Sequence, residues 1–420
     1  MRSSLPALTA ALAAFASLAL AGCAPSSEDI REEVAIPPAS AVTTEDLGLG
    51  PKARPLSFGP GDKGSPRVSP SGERVAFVLD GYVVEKPIST QIFRSRTPKD
   101  FGAGQTEWLL NGDLAVLSPK GDEGSAKTAP APNSLFAAPP TKPTADSSSD
   151  MRKFAESVGA AGAVPGGGAV AAVVTFPTSE PAMSRLVLLQ GSEEPMSIYL
   201  RSIEGHVTGL SVSPDGRQAA LAVRRNTDDA GDQEMSRFEV QVYQFSEGLS
   251  RRLALVPEGM EILGAPQWTQ EGVYFLAGEA ADPIGTARSG EPVTYTLYRT
   301  SEGSGTPAPV RGVGEDFVAA SISTSPDGNR LAMVGRRNPS SPTNLYVLDL
   351  ASDSLETITT NENMEIKAGP RNLAWSPDGR YVILVARGAL SGPKAYDAPA
   401  GNLLSAFYNL YLVEVGGSEG

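Results

Sequence analysis

The sequence predicts an all-β chain, a β-propeller of about seven blades with about four antiparallel strands each. Three observations carry this. A Ser-Pro-Asp-Gly turn followed by an apolar strand occurs at 212–223 (VSPDGRQAALAV), 324–334 (TSPDGNRLAMV) and 375–385 (WSPDGRYVILV), with Ser in place of Asp at 68–78 (VSPSGERVAFV). Weaker copies lie at 108–117, 164–174 and 268–278, so the anchor glycines are Gly72, Gly112, Gly167, Gly216, Gly272, Gly328 and Gly379. The three tryptophans, Trp108, Trp268 and Trp375, each lie four residues before an anchor. A fixed period of this length is the signature of a repeat architecture, and four strands per period is that of a propeller. Six or eight blades are the alternatives.

Within each unit the turn is built from Pro70-Ser71-Gly72, Pro214-Asp215-Gly216, Pro326-Asp327-Gly328 and Pro377-Asp378-Gly379. Proline fixes φ, aspartate bonds nearby main chain, and glycine accepts positive φ. The strand after the turn is apolar on both faces (VAFV, LAMV, VILV), as expected of a sheet covered on both sides. Ala76, Ala171, Ala220 and Ala332 share one repeat position, with Ile383 departing from the rule. Aromatic-bearing strands follow at 238–245, 294–300, 344–350 and 409–415, and polar strands such as 250–255 and 355–360 end the units. After Gly379 there is room for a second and a third strand but little for a fourth. The stretch ARPLSF (53–58) has no unit of its own and is expected to join the last blade as its outermost strand, leaving no open edge.

Residues 1–22 read as a signal peptide. Arg2 precedes an apolar run from Leu5 to Leu20, too short for a membrane span. The run ends Leu20-Ala21-Gly22-Cys23, which resembles the bacterial lipobox and implies cleavage before Cys23 and acylation of its thiol. Residues 23–50 read as a flexible tether, and 51–420 as a single propeller domain with a long low-complexity surface loop at about 119–149. The expected location is the extracytoplasmic side of a membrane, held by acyl chains. Ala24 after Cys23 permits sorting to an outer membrane where one exists.

Composition narrows the chemistry. Gly (44) and Pro (35) form roughly a fifth of the 420 residues, which suits many turns and few long helices. A formal net charge of −13 excludes a duplex nucleic-acid binder as the expected class. One cysteine and one histidine, Cys23 and His206, allow neither an internal disulfide nor a His/Cys zinc site.

The Ser-Pro-Asp-Gly turns with their apolar strands resemble those of the TolB-like propellers, and PLSFGPGDKGSPRVSPSGERVAFV (55–78) resembles that family's opening repeat. The resemblance covers 53 to 415. It implies the propeller architecture and says little about activity. WD-repeat propellers are neighbours: GHVTGLSVSPDG (205–216) resembles their Gly-His start, but no Trp-Asp dipeptide closes a unit.

No Gly-x-Ser-x-Gly elbow, P-loop, dinucleotide fingerprint or EF-hand loop occurs, and no catalytic residue, metal site or cofactor is expected. His206 is read as a structural residue at the entry to a strand. Asp215, Asp327 and Asp378 are read as turn residues. The suggestive feature is a repeated arginine after the apolar strand: Arg224 and Arg225, Arg336 and Arg337, and Arg387. Repeat equivalence puts these on one propeller face, where they are candidates for an anionic ligand or acidic partner. The expected function is a lipid-anchored cell-envelope scaffold that binds a protein or small ligand without catalysis. The alternatives are a propeller enzyme of the lactonase or quinoprotein type with a metal or cofactor in the central channel, and a passive structural lipoprotein.

Overall fold

A computed structural model describes residues 49–57, 60–109, 112–118, 134–138, 151–165, 169–176, 183–190, 196–227, 235–279, 295–300, 305–314, 316–338, 340–361, 364–369, 371–388 and 407–416. Cys23 with its lipobox, the tether up to residue 48, Gly167 and the loops at 228–234 and 389–406 lie outside them.

The regular structure is nearly all antiparallel strand. The Gly72 turn joins Lys63–Val68 to Arg74–Leu79, and Tyr82–Pro87 and Arg94–Ser95 complete a sheet of four. The order repeats in Gln105–Trp108, Leu114–Ser118, Ser134–Ala138 and Arg152–Ala155. It repeats again in Val158–Val164, Ala169–Phe176, Met183–Gln190 and Met196–Glu204, and in His206–Val212, Gln218–Thr227, Met235–Gln244 and Leu249–Leu255. An eight-stranded sheet then spans the turns at Gly272 and Gly328, and its two halves meet at Tyr295 opposite Ala319. In the C-terminal sheet, Met364–Ile366 and Leu373–Trp375 share the place of the first strand beside Tyr381–Gly388. Asn409–Glu414 follows, and Ala53–Pro55 arrives from the far end of the chain to pair with it, Ala53 opposite Val413 and Pro55 opposite Tyr411.

The turn chemistry explains why these hairpins form. Gly72, Gly216, Gly328 and Gly379 have φ of 75°, 69°, 75° and 68°, a region that side chains with a Cβ resist. Each glycine N–H donates to the serine carbonyl three residues earlier, at 2.8–2.9 Å. Four residues after each anchor, Ala76, Ala171, Ala220, Ala332 and Ile383 are all fully buried, as are Val116 and Leu276 at the same position. Sheets with two apolar faces must stack. Among the described residues, hydrophobic clusters fill every junction between consecutive units, for example Phe275 and Ala277 with Val240 and Val242, and Tyr346 and Leu348 with Leu297. The last cluster joins Leu410 and Leu412 of the C-terminal sheet to Val75 and Phe77 of the first.

Two tryptophans add a polar link across the junctions. Trp108 Nε1 donates to the Arg67 carbonyl and Trp375 Nε1 to the Ser323 carbonyl, both at 2.9 Å. Each acceptor sits on the first strand of the preceding unit, five residues before that unit's anchor glycine. The shared repeat position of the tryptophans is thus a shared contact. Trp268 departs from it: its buried indole N–H meets no acceptor among the described residues.

The stretch expected as one loop, 119–149, instead contains the strand Ser134–Ala138, with Leu135, Ala137 and Ala138 buried. Its flanks are rich in proline and serine, which hid a five-residue strand in a biased composition. The strand supplies the third place of its sheet, pairing Phe136 with Val116.

The junction between chain ends carries the most unusual buried charge. Lys86 is fully buried, and its Nζ donates to the carbonyl of Leu56, just past the N-terminal strand; Gln91 Nε2 reaches the same carbonyl at 3.2 Å. Burial lowers the Lys86 pKa from 10.5 to about 7. A second buried group, Arg96, pairs with Glu85 at 2.5 Å and donates to the carbonyls of Gly112 and Ala138, tying the first sheet to the second.

Two predictions follow from these contacts. Replacing Trp375 by Phe strands the Ser323 carbonyl and should cost about 1–2 kcal/mol more than Trp268→Phe, whose N–H has no partner to lose. Denaturant unfolding of both variants checks this, and equal losses would contradict it. For Lys86, the folded state releases its proton near pH 7 while the unfolded chain keeps it to 10.5. The unfolded state therefore binds more protons in that window, and stability should rise with pH across it. Melting curves of the wild type against Lys86→Met between pH 7 and 10 should converge or cross as pH rises; parallel curves would contradict the assignment.

Candidate functional site

The repeated serine and aspartate are consumed by the turn they build. The hydroxyls of Ser213, Ser325 and Ser376 donate to Oδ1 of Asp215, Asp327 and Asp378, each at 2.5 Å. The same hydroxyls accept the main-chain N–H of Gln218, Arg330 and Tyr381 at 2.9–3.0 Å, and each Oδ1 accepts the N–H two residues on. The serine bond lowers the Asp215 pKa. At Asp327 and Asp378 burial works the other way, but the serine and main-chain donors outweigh it and the pKa is lowered there too. An ionised aspartate held by a serine that already donates its proton has no capacity left for a nucleophile and base. In the first unit Ser71 stands where the aspartate would be, and its hydroxyl lies 3.2 Å from that of Ser69.

His206 starts a strand and lies opposite Arg224. Burial and the Arg224 charge lower its pKa, which favours the neutral ring.

The five arginines lie at or just past the C-terminal end of the second strand of their units, the end opposite the Ser-Pro-Asp-Gly turn. Four of the five are engaged locally. Arg225 pairs with Glu239 at 2.7 Å and Glu204 at 3.5 Å. Arg336 donates to Thr343 Oγ1 at 2.9 Å and Arg337 to Thr357 Oγ1 at 3.0 Å, the latter over the Tyr346 ring. Arg387 pairs with Glu365 at 2.7 Å and lies over Tyr408. Arg224 and Arg225 are successive on a strand and so point to opposite faces. The shared end of the units is present, and the charges on it are divided among separate sheets.

A second constellation was not singled out from the sequence. The first strands of several units, with Lys367, Gly369, Arg371 and Asn372, line a cavity of about 850 Å³. Its walls are unequal. One is built from Ala160, Ala161, Gly162, Gly209 and Gly264. A Cβ on Gly209 would lie 2.3 Å from the Gly264 carbonyl, so the two inner strands are in direct main-chain contact there. The other wall carries Arg67, Glu107, Lys367 and Arg371. Arg67 Nε donates to Glu107 Oε1 at 2.8 Å, and Gln105 Nε2 donates to the same oxygen at 3.1 Å. Arg67 Nη1 reaches the Pro66 carbonyl at 2.7 Å and the Arg371 carbonyl at 3.4 Å. The half-buried guanidinium of Arg371 makes no hydrogen bond or ion pair among the described residues, while burial and the neighbouring Arg67 charge lower its pKa against the pull of Glu107.

A signal for this wall existed. Arg67 and Glu107 each lie five residues before an anchor glycine, at equivalent places in consecutive units, and that place is otherwise held by small or neutral residues (Gly162, Ser211, Gln267, Ser323, Ala374). Among the described residues, no three of His, Cys, Asp or Glu are grouped so as to hold a metal ion.

No protein-family model matches the chain, and no curated protein matches it in sequence. Solved structures do. An oligogalacturonate lyase from Vibrio parahaemolyticus aligns with a TM-score of 0.53 at 12% identity, over 88% of this chain and 94% of that one. The β-propeller domain of the Trilobed protease from Pyrococcus furiosus aligns with a TM-score of 0.52 at 12% identity, over 86% and 96%. TolB from Acinetobacter baumannii is also among the similar structures, with a TM-score of 0.40 at 14% identity, over 82% and 77%. Identities this low speak to architecture alone. The chain has the fold of a β-propeller.

Proposed function

We propose that this chain is a lipid-anchored propeller of seven blades, facing the extracytoplasmic side of a bacterial membrane, that acts as a binding scaffold and not as a catalyst. The seven-blade count is supported by the seven anchor positions and by the single pairing, Tyr295 with Ala319, that joins the two halves of the eight-stranded sheet. Anchoring through Cys23 rests on the Leu-Ala-Gly-Cys sequence.

The observation that carries the binding role is the cavity between the first strands. Its small-residue wall leaves room, its opposite wall presents cationic donors, and the repeated Ser and Asp that might have suggested catalysis are committed to turns. Rigid scaffolds of this kind commonly place their recognition chemistry in a central recess and in the loops around it. The arginine-bearing ends of the second strands form a second contact surface in this reading, for an acidic protein partner in the envelope.

Two measurements test it. Metabolic labelling with a fatty-acid analogue should mark the wild type and leave Cys23→Ala unlabelled and released from membranes; labelling of the variant would contradict the anchor. Affinity isolation of the tagged protein from solubilised membranes should recover one partner in near-stoichiometric amount. Repeated recovery of the chain alone would contradict the scaffold role.

A further inference from the structure

The cavity carries six ionisable groups, three acidic and three basic: Asp62, Asp80 and Glu107 against Arg67, Lys367 and Arg371. A sum of formal charges would call it neutral. The hydrogen bonding separates the two sets. Asp80 Oδ1 accepts the Asp62 N–H at 2.7 Å, and Asp62 Oδ1 accepts the Tyr408 N–H at 3.0 Å. Glu107 Oε1 accepts from both Arg67 and Gln105. The acids are therefore each engaged within the protein. Of the bases, only Arg67 has a carboxylate partner among the described residues. Lys367 rests over the Tyr408 ring with Nζ 4.8 Å from its centroid, and Arg371 has no hydrogen bond or ion pair among the described residues.

A guanidinium offers five N–H donors in a planar fork and cannot relieve an unfavourable site by losing its proton under ordinary conditions. Half-buried beside a second arginine, it is destabilised both by lost hydration and by like-charge repulsion. The natural complement of such a fork is a two-oxygen anion taken bidentately. The opposite wall of glycine and alanine offers no competing charge and leaves space for the rest of a molecule. Asp62 is tied to the Tyr408 main chain and Asp80 to that of Asp62, with Lys367 over the Tyr408 ring, which leaves Arg371 and Lys367 as the cavity's cations outside any carboxylate pair among the described residues.

We infer that this cavity binds a small molecule through an oxyanion group, a carboxylate or a phosphate, with Arg371 as the principal donor and Lys367 as a second cation. The inference rests on the reading of the cavity as a binding chamber and adds the chemical class and the residues. The cavity, at about 850 Å³, has the volume of an ordinary small-molecule site.

The test is calorimetric titration of the purified full chain at low salt with inorganic phosphate, with citrate, and with glucose as a neutral control. Saturable one-to-one binding of phosphate or citrate and none of glucose is expected, and whichever anion binds more tightly assigns the group. Arg371→Gln should weaken that binding about tenfold or more, with Arg371→Lys restoring part of it. Lys367→Gln should weaken it several-fold and keeps the test open if the arginine variants fold poorly. Arg217→Gln, an exposed position on a turn, should leave it unchanged. Absence of saturable binding by either anion overturns the inference, as does equal binding of glucose or undiminished binding in both Arg371→Gln and Lys367→Gln. Failure here with a partner still recovered from membranes removes the anion class and leaves the scaffold role standing.

Discussion

Every sheet in this protein is apolar on both faces, and that constraint organises the rest. In the first sheet Val75, Phe77 and Val84 lie on one face and Ala76 and Val83 on the other, and all are buried. A sheet of this kind cannot be terminal: it needs a neighbour on each side. Stacking in sequence order satisfies all units but the first and the last, and those two satisfy each other. Leu410, Leu412, Ile383 and Val385 pack against Val75, Phe77 and Leu79, and the chain's first strand completes the edge of its last sheet. The cost of this arrangement is visible at the same place, where Lys86 is buried to hold the carbonyl of Leu56.

Function is divided from architecture along the same lines. The Ser-Pro-Asp-Gly turn is the most conspicuous motif in the chain, and its side chains spend their hydrogen bonds on their own hairpin. The two cavity cations without a carboxylate partner among the described residues, Lys367 and Arg371, lie where the repeat is least regular, in the unit whose first strand is split in two. A broken strand frees main chain and side chains from the ladder, which is what a recess needs.

Much of this was legible in the sequence, for identifiable reasons. The turn glycines must take positive φ, so Gly72, Gly216, Gly328 and Gly379 declare the hairpins without help from tertiary structure. The alanine column is set by burial that recurs from unit to unit, and two of the three tryptophans by the same indole-to-carbonyl bond, and recurrence makes them readable. The pairing of Ala53–Pro55 with the last sheet followed from counting strands. What could not be read was local and non-repeating. The strand at Ser134–Ala138 hid in a proline- and serine-rich stretch. The contacts of Arg225 with Glu239 and of Arg387 with Glu365 depend on cross-strand register, which composition does not reveal. Arg371 stood out only when the partners of all its neighbours could be counted.

The dependence of the whole on the junction between chain ends can be measured directly by amide hydrogen exchange. If the strand Ala53–Pro55 is an integral edge of the C-terminal sheet, the amides of Leu56 and Glu414, which donate across the junction to the carbonyls of Leu410 and Lys52, exchange only in openings that also expose Tyr411 and Val413, and protection is lost together. Rapid exchange of residues 53–57 while 409–415 remain protected would show that the molecule holds together without the junction, and would contradict the account.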